Sequence, residues 1–336
     1  MQFDRILLEH GSGGQLSNDL ITGTFLPLLR NPLLERLEDG AVFDVGGVKL
    51  CFTTDSFVVH PRFFPGGDIG SLAVHGTVND LAMCGGAPLA LSAGFILEEG
   101  FPTEELERIV RSLAAAAKKA GVAVVTGDTK VVPRGAVDGL FINTSGIGII
   151  RYESPLSVRS IRPGDAVLIS GPIGDHGAAI LSCREDFGFV SRIVSDSAPL
   201  NSLVETALAA SPAVHCMRDP TRGGLGAILA EIAGQTGLRI TIREQAIPVR
   251  EEVRGICEIL GFDPLFLANE GRMALFCAGE AAETVLGAMR GHELGRDAAL
   301  IGAVTEDQRG RLVMETLIGG PREIDLPTGE LVPRIC

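Results

Sequence analysis

Five aspartates lie where an apolar segment ends or beside glycines, in surroundings that usually become buried. They are Asp39, Asp55, Asp80, Asp128 and Asp219. A buried carboxylate without a partner costs several kcal/mol, so a cation must compensate it. Mg²⁺ prefers oxygen ligands and would let an acidic chain bind phosphate groups. Each aspartate alone could be a helix cap or a turn residue, but the five together predict a metal–phosphate site.

Glycine-rich segments supply backbone N–H groups that can face phosphate. One is GSGG at 11–14, and the other is the GG of DPTRGGLG at 219–226, where a predicted helix begins. Neither is a Walker A loop or a dinucleotide-binding fingerprint. Because the chain contains 43 glycines, these segments alone are weak signals.

Lys130 and Glu270 are candidates for handling substrate and protons. Lys130 follows Asp128 by two positions, which places both side chains on one side of an extended chain. Glu270, in ANEGR, interrupts a predicted apolar strand over 265–279. A lysine could orient a substrate, and a glutamate with a raised pKa could be a general base. A surface salt bridge is the alternative for each residue.

Three further polar residues could line a site. His75 and Asn79 lie four positions apart on one predicted helix face. His176, in GDHG, suits a turn as well as it suits catalysis. None of the three is diagnostic by itself.

The chain ends on a cysteine, Cys336, which follows a proline-containing segment. Residues 319–336 (GGPREIDLPTGELVPRIC) contain three prolines and have no sustained periodicity, which predicts a flexible tail or a surface linker. Seventeen extended residues would reach at most roughly 55 Å. The seven cysteines are scattered and never form C-x-x-C, which favours reduced thiols and the cytoplasm over zinc or disulfides.

Length and charge restrict the class of protein. A chain of 336 residues exceeds the usual size of one core and predicts two domains. The net charge of −13, the absence of Trp and the single Tyr argue against nucleic-acid binding. The sequence contains no uninterrupted run of about 18 apolar residues, so no membrane-spanning helix is predicted. The first residues do not resemble a signal peptide.

Predicted strands and helices alternate along the chain and must position these residues. Strands are predicted at 50–55, 89–97, 122–126, 140–150, 166–170 and 265–279. Helices are predicted at 69–83, 103–120, 199–210, 224–235 and 250–260. The pattern begins again after 153–160, so we expect an α+β protein with domains at 1–155 and 156–318 and a tail at 319–336.

Seven segments occur in order along the chain: HGSGG, TTDSFVV, HGTVNDLAMCGG, GDTKVV, DPTRGGL, NEGR and the terminal PRIC. They resemble the HypE family of hydrogenase maturation proteins, a branch of the superfamily of aminoimidazole ribonucleotide (AIR) synthetase, selenophosphate synthetase and thiamine monophosphate kinase. PRIC distinguishes the HypE branch. The resemblance implies two PurM-like (AIR synthetase-like) domains: an N-terminal sheet that forms a homodimer interface and binds ATP, and a C-terminal α/β sandwich.

The resemblance also implies a reaction and partners. A HypF-like carbamoyltransferase would load a carbamoyl group onto the terminal cysteine. The chain would then use ATP to dehydrate this group to a thiocyanate. A HypC–HypD-like scaffold would receive the cyanide as a ligand for the iron of [NiFe]-hydrogenase.

Roles for individual residues follow from the same resemblance. Cys336 would carry the substrate, Glu270 would be the base and Lys130 would assist. The five aspartates named above would hold Mg²⁺. The residues expected at ATP are Gly11, Ser12, Gly13, Gly14, Asp55, Asn79, Asp80, Asp128, Thr129 and Asp219.

Two other functions compete with this interpretation. An ATP-dependent kinase or synthetase acting on a free small molecule would keep its activity without Cys336. A non-enzymatic carrier or scaffold would hydrolyse no ATP, but it would leave the aspartates in apolar surroundings unexplained.

Overall fold

The computed structural model describes residues 4–153, 155–184, 192–307, 309–329, 332 and 334–336. The helices within these ranges are α1 (Gln15–Leu20), α2 (Leu26–Leu29), α3 (Ile69–Met83), α4 (Thr103–Ala120), α5 (Asp175–Ser182), α6 (Asn201–Ala210), α7 (Gly224–Thr236), α8 (Glu251–Leu260) and α9 (Ala282–Gly291). Among them, none combines the length and the apolar composition that crossing a membrane would need.

The strands form two large sheets and one short hairpin. They are β1 (Ala41–Val45), β2 (Val48–Phe57), β3 (Phe63–Phe64), β4 (Gly67–Asp68), β5 (Gly86–Glu98), β6 (Ala123–Val132), β7 (Leu140–Ile150), β8 (Asp165–Ile169), β9 (Val214–Arg218), β10 (Arg239–Arg243), β11 (Ala274–Ala278), β12 (Ala299–Thr305), β13 (Leu312–Glu315) and β14 (Pro321–Ile324). This two-sheet arrangement confirms the predicted α+β class.

The N-terminal sheet has the order β1-β2-β7-β5-β6, and α3 and α4 pack on one of its faces. The side chain of Asp68 caps α3 by accepting hydrogen bonds from Gly70 and Ser71 backbone N–H groups. Helix α4 ends at Gly121, whose φ of 70° suits glycine at a helix C-terminus. Strand β6 is the edge of the sheet, and its residues 123–131 are exposed.

The C-terminal sheet has the order β14-β13-β10-β12-β8-β11-β9 and is covered on both faces. On β8, Val167 and Ile169 pack in the same core cluster as α7, whereas Ala166 and Leu168 pack with α6 and α9. Successive side chains of a strand point to opposite faces, so every residue of β8 is buried. The predicted α/β sandwich is confirmed.

One apolar cluster joins the two halves and the end of the chain. It contains Phe57 and Ile69 from the N-terminal half and Ile180 and Val253 from the C-terminal half. Ile335 near the C-terminus packs in the same cluster. The terminal residues are therefore positioned where the two halves meet.

The strand predicted over 265–279 is wrong in its first half. Only Ala274–Ala278 form β11, and Pro264–Phe266 form a short 3₁₀ turn. Glu270 lies in the loop between them, because polar side chains and a close approach to residues 196–198 replace strand pairing there. The catalytic candidate therefore lies on a loop and not within the sheet.

The tail predicted from residue 319 begins later and does not project freely at its end. Pro321–Ile324 pair antiparallel with β13 as the edge of the C-terminal sheet. Ile335 is 6% exposed and Cys336 is 8% exposed. Apolar packing at the junction of the two halves fixes this end, which composition alone did not indicate.

Candidate active site

A cavity of about 240 Å³ lies where the two halves of the chain meet. The residues that line it come from distant parts of the chain and include Gly11 and Ser12, Ser56 and Val58, Arg222 and Gly223, Phe266 and Ala268, and the terminal Arg334, Ile335 and Cys336. The terminal cysteine thus lies beside one of the predicted phosphate-binding loops.

Four of the five predicted aspartates converge next to this cavity. Asp80 accepts a hydrogen bond from the Thr53 hydroxyl at 2.8 Å, and Asp39 pairs with Arg218 at 2.9 Å. Burial, followed by the charges of Asp219, Asp55 and Asp39, raises the pKa of Asp80 well above its usual value. Like charges that raise one another's pKa must lie close together.

The other members of this acidic cluster show the same effect. Burial and the charge of Asp39 raise the pKa of Asp219 to about 7, although Arg218 opposes the shift. Burial also raises the pKa of Asp39 to about 6 and that of Asp55 above its usual value. The protein holds these carboxyls in a state that a cation would relieve.

The cluster fits a cation that is only partly coordinated by protein. Asp219 Oδ2 and Glu270 Oε1 are buried without a hydrogen-bond partner, and both atoms can only accept when ionised. Within the described ranges, no three Asp, Glu, His or Cys side chains stand in position to ligate one ion directly. Mg²⁺ commonly uses one or two carboxylates, waters and substrate phosphates, so this donor set suits it in the presence of a nucleotide.

Asp128 does not join the other four aspartates within one chain. Asp128 on β6 pairs with Gly94 on β5, and Gly94 pairs with Asn143 on β7. Asn143 in turn pairs with Ser56 on β2, so Asp128 and Ser56 lie in one row across the sheet. Three strand spacings separate Asp128 from Ser56, which is roughly 14 Å. Asp55 has the opposite alternation and points towards α3, so the two aspartates lie on different faces of the sheet.

Lys130 accompanies Asp128 on the exposed edge of the N-terminal sheet. Lys130 Nζ lies 2.7 Å from Asp128 Oδ2, and this pair lowers the pKa of Asp128. Thr129 lies between them on the same strand. In an isolated chain these three residues form part of the surface, as the salt-bridge alternative anticipated.

The GSGG segment packs on the second glycine-rich loop and on the chain near its end. Gly13 has a φ of 79°, and a Cβ there would lie 2.9 Å from Arg222 Cβ. A side chain on Gly14 would collide with the carbonyl oxygen of Pro327. The Gly13 N–H donates to Ser17 Oγ at 2.9 Å, so this backbone N–H, predicted to face phosphate, makes a hydrogen bond within the protein. The glycines are therefore needed for close contact between segments.

Asn79 is committed to backbone groups rather than to the cavity. Its amide nitrogen donates to the carbonyls of Ala198 and Glu270, both at 3.2 Å. Its side-chain oxygen accepts from the Leu200 N–H at 2.8 Å. Asn79, which is predicted to lie at the nucleotide, connects α3 with the C-terminal half and holds the backbone at Glu270.

Glu270 is only 2% exposed and lies among acidic groups. Burial, then the charges of Asp219, Asp55 and Asp196, raises its pKa well above the usual value, and Arg222 opposes this shift. Its own N–H donates to Asp196 Oδ1 at 3.1 Å, which fixes the loop. A carboxyl with a raised pKa in a fixed position has the properties of a general acid or base.

Cys336 reaches this site through a short antiparallel pairing. The N–H groups of Val58 and His60 donate to the carbonyls of Cys336 and Arg334 at 3.0 and 3.1 Å. Arg222 donates from Nη1 to the Cys336 sulfur at 3.1 Å. Burial raises the pKa of the thiol to about 11, and Arg222 opposes this rise.

Arg222 is the functional residue that the sequence analysis missed. It precedes the helix-starting glycines in DPTRGG and interacts electrostatically with Asp55, Glu270 and Cys336. The sequence did offer a signal for Arg222: it is a permanently charged residue three positions after Asp219, in a glycine-rich loop already predicted to bind phosphate. The site therefore combines a buried thiol, a guanidinium, a buried carboxyl with a raised pKa and an acidic cluster whose donor set suits Mg²⁺.

Family models match most of the chain. Residues 37–150 match "AIR synthase related protein, N-terminal domain", and residues 162–315 match "AIR synthase related protein, C-terminal domain". The interval between the two matches contains the predicted domain boundary.

Relatives and solved structures match the chain over almost its whole length. It is 54% identical to carbamoyl dehydratase HypE of Azotobacter vinelandii, over 98% of this chain and 96% of the relative. It is 49% identical to carbamoyl dehydratase HypE of Escherichia coli K12, over 99% and 100%. A crystal structure of a HypE–HypF complex aligns with a TM-score of 0.87 and 48% identity, covering 92% of this chain and 99% of that one. A structure of HypE in complex with ATP aligns with a TM-score of 0.83 and 50% identity, covering 99% and 100%.

Proposed function

The chain belongs to the HypE family of carbamoyl dehydratases, and we propose that it uses ATP to dehydrate an S-carbamoyl group on its own C-terminal cysteine. The observation that carries this proposal is the position of Cys336. Its sulfur lies 3.1 Å from Arg222, in a cavity beside the acidic cluster. A thiol brought to that position by its own chain is both substrate carrier and part of the active site.

The proposed reaction has two chemical steps. The carbamoyl oxygen first attacks the γ-phosphate of ATP while an N–H proton is removed, which releases ADP. The O-phosphorylated group then loses its second N–H proton and phosphate, and the C≡N bond of a thiocyanate forms. In the overall reaction, the S-carbamoyl cysteine and ATP are converted into the S-cyanocysteine (a thiocyanate), ADP and phosphate.

Glu270 is the proposed base for these proton transfers. Its backbone N–H donates to the Asp196 carboxylate, its backbone carbonyl accepts from the Asn79 amide, and its buried Oε1 has no hydrogen-bond partner. Arg222 would bind the sulfur and keep the thiocarboxamide directed towards Glu270. Asp55, Asp80 and Asp219 would surround Mg²⁺, one or two of them as direct ligands and the rest through water, with Asp39 supporting them through Arg218. When bound, the ion supplies the positive charge that phosphoryl transfer requires.

Loading and delivery require the cysteine to leave the cavity. At 8% exposure, Cys336 offers almost no surface to a second protein. We propose that a HypF-like carbamoyltransferase loads the cysteine outside, and that a HypC–HypD-like scaffold later receives the cyanide. A structure of a relative is described as a HypE–HypF complex, which supports the first partnership. Seven free thiols suit a reducing compartment, so we place the protein in the cytoplasm.

We also propose a homodimer built through residues 1–155, with 156–318 forming the second domain. Within the described ranges no helix packs on the sheet face opposite α3, and Phe52 and Ile96 on it are 44% and 40% exposed. Asp128 and Lys130 point to this same face from β6. A second copy packed there would receive both residues, which would give Lys130 its predicted role across the interface.

Intact-mass measurement tests the proposed function directly. The protein is incubated with a HypF-like carbamoyltransferase and carbamoyl phosphate, and ATP is then added. We expect one carbamoyl adduct on Cys336 that loses one water after ATP addition. Cys336→Ala should form no adduct while its ATP binding, measured by calorimetry, persists. Phosphoryl transfer to a free small molecule by Cys336→Ala would instead favour the kinase alternative.

Glu270→Gln separates loading from dehydration. The amide keeps the size of the side chain but cannot accept the proton, so the carbamoyl adduct should accumulate. We expect the rate of water loss, followed by mass spectrometry, to fall at least about 100-fold. Dehydration at the rate of the unmodified protein would remove Glu270 from the role of base.

A further inference from the structure

A buried histidine binds the backbone of the residue that precedes the terminal cysteine. His176 on α5 has no solvent exposure, and its Nε2 lies 2.6 Å from the Ile335 carbonyl oxygen. Phe64 packs edge-on against the imidazole with ring centroids 5.3 Å apart. This is a side-chain contact from the C-terminal half, separate from the strand-like pairing with Val58 and His60.

The hydrogen-bond partners of the two ring nitrogens determine which nitrogen carries the proton. A carbonyl oxygen only accepts hydrogen bonds, so Nε2 must be protonated and donate. Nδ1 of the neutral ring then accepts from Ser195 Oγ at 2.8 Å. Ser195 Oγ in turn accepts from the Ser197 N–H at 3.0 Å. The backbone N–H of Ser195 donates to the Pro65 carbonyl at 2.8 Å. Burial lowers the pKa of His176, which keeps the ring neutral.

The contact controls the direction of the cysteine. The Ile335 carbonyl belongs to the same planar peptide unit as the Cys336 nitrogen, so fixing that oxygen fixes the plane that leads into Cys336. Val58 holds the other side of the residue by donating to its carbonyl at 3.0 Å. With the preceding peptide group and the terminal carboxylate both held, the sulfur is directed to Arg222, 3.1 Å away.

We propose that His176, held in its Nε2–H tautomer by Ser195, is a positioning residue that keeps Cys336 in the cavity. The inference rests on the proposed function for its purpose, since a docked cysteine is what dehydration needs. The placement of the cysteine itself is a physical property of the chain and can be measured without partner or nucleotide.

The test measures how often Cys336 leaves the cavity. The purified full-length protein is treated with iodoacetamide, and alkylation of the C-terminal peptide is followed by mass spectrometry. Because the docked thiol is buried, alkylation proceeds through the undocked state and its rate reports that population. Cys183, a half-buried thiol at the end of the same helix, is the internal reference.

His176→Leu should raise the alkylation rate of Cys336 about tenfold relative to Cys183, as expected for one lost buried hydrogen bond. Ser195→Ala removes only the hydroxyl that sets the tautomer and should give a smaller increase. His176→Gln can still donate near the Nε2 position and should restore slow alkylation. The same variants should lower the rate of ATP-dependent water loss in the same order.

Two results would overturn the inference. One is alkylation of Cys336 at an unchanged rate in both His176→Leu and Ser195→Ala. The other is an equal increase at Cys336 and Cys183, which would indicate unfolding of α5 instead. Cys336 of the wild-type protein could be alkylated as slowly as expected while its carbamoyl adduct never loses water on addition of ATP. In that case the proposed function fails and the positioning role of His176 stands.

Discussion

Two opposing effects act on the thiol of Cys336 at the scale of single residues. Burial raises its pKa to about 11, and the Arg222 guanidinium at 3.1 Å partly offsets this. At neutral pH the docked residue is therefore mostly a neutral thiol, which is a poor nucleophile. The cavity stores the cysteine in an unreactive form, and loading with a carbamoyl group is expected outside it.

The acidic cluster makes the free protein less stable as pH rises. The pKa of Asp219 is about 7 in the folded chain and has its ordinary value of 3.8 in the unfolded chain, so between these pH values the folded state binds a proton that the unfolded chain releases. Its contribution to stability is complete below about pH 4 and is lost as pH rises through 7. Asp219→Asn removes this dependence and should stabilise the free protein at pH 8 by on the order of 2 kcal/mol.

Thermal unfolding between pH 5 and 8 without nucleotide measures this effect. Asp44→Asn, at an exposed position on β1, is the matched control and should leave the pH profile unchanged. Asp219→Asn should also weaken magnesium–ATP binding in calorimetry, because a ligand oxygen is lost. A pH profile identical to that of the unmodified protein would contradict the assignment of Asp219 to a strained cluster.

The loop of Glu270 is held at the scale of elements by a close approach between two backbone segments. The Glu270 carbonyl accepts from Asn79 Nδ2 at 3.2 Å and from the Ala198 N–H at 3.3 Å. A Cβ on the next residue, Gly271, would collide with the Asp196 carbonyl oxygen. The loop can therefore present the base accurately only while residue 271 has no side chain.

Gly271→Ala should destabilise the protein by about 1–3 kcal/mol, because the backbone of residues 196–198 must move. Denaturant unfolding measures the loss, and dehydration should slow because Glu270 moves with the loop. Gly287→Ala is the control, since a Cβ there meets no atom within 4 Å. As a helical position it should gain up to about 1 kcal/mol. Equal stability of the two variants would show that the loop is not tightly held.

Among the residues that the structure describes, no helix covers the face of the N-terminal sheet opposite α3. Strands β2, β5 and β7 direct alternate residues to α3 and to this face, where Phe52 and Ile96 remain exposed. The edge strand β6 is exposed along residues 123–131, and alternation places Val125 and Val131, each 66% exposed, on the side of the sheet opposite Lys130. An edge and a face of this kind favour association with a second copy.

Ile96→Lys places a charge on that face and should convert the proposed dimer to a monomer in light scattering. Ile259→Lys alters a more exposed isoleucine, 69% accessible, on α8 and should leave the mass unchanged. A monomer in the unmodified protein at micromolar concentration would refute the dimer.

Mixing two inactive variants tests whether Lys130 acts across the interface. Lys130→Ala retains the cysteine, and Cys336→Ala retains the lysine. If Lys130 serves the second copy, mixed dimers should recover up to about half of the activity of one site. No recovery after subunit exchange would assign Lys130 to its own chain or to the surface alone.

Local patterns in the sequence were sufficient for much of the architecture. Thr103–Ala120 form a helix with the predicted bounds, because acidic residues begin it, lysines end it and apolar residues recur at helical spacing. The segments HGSGG, TTDS, VNDL, DPTR, NEGR and PRIC identified the family and the types of group at the site. Four of the five aspartates lie close together, because the segments that they end meet beside α3.

Tertiary structure decided which of these groups meet. Strand register places Asp128 and Lys130 on the face opposite Asp55, and a single sequence does not contain the register of a sheet. Asn79 bonds backbone groups about 120 and 190 positions away, which local spacing does not indicate. Arg222 reaches Cys336 across 114 positions, and only the packing of both halves around one cavity brings the two together. The sequence gives directly which chemical groups the protein has. Which groups meet over long distances along the chain depends on how the apolar surfaces of the helices and sheets pack against each other.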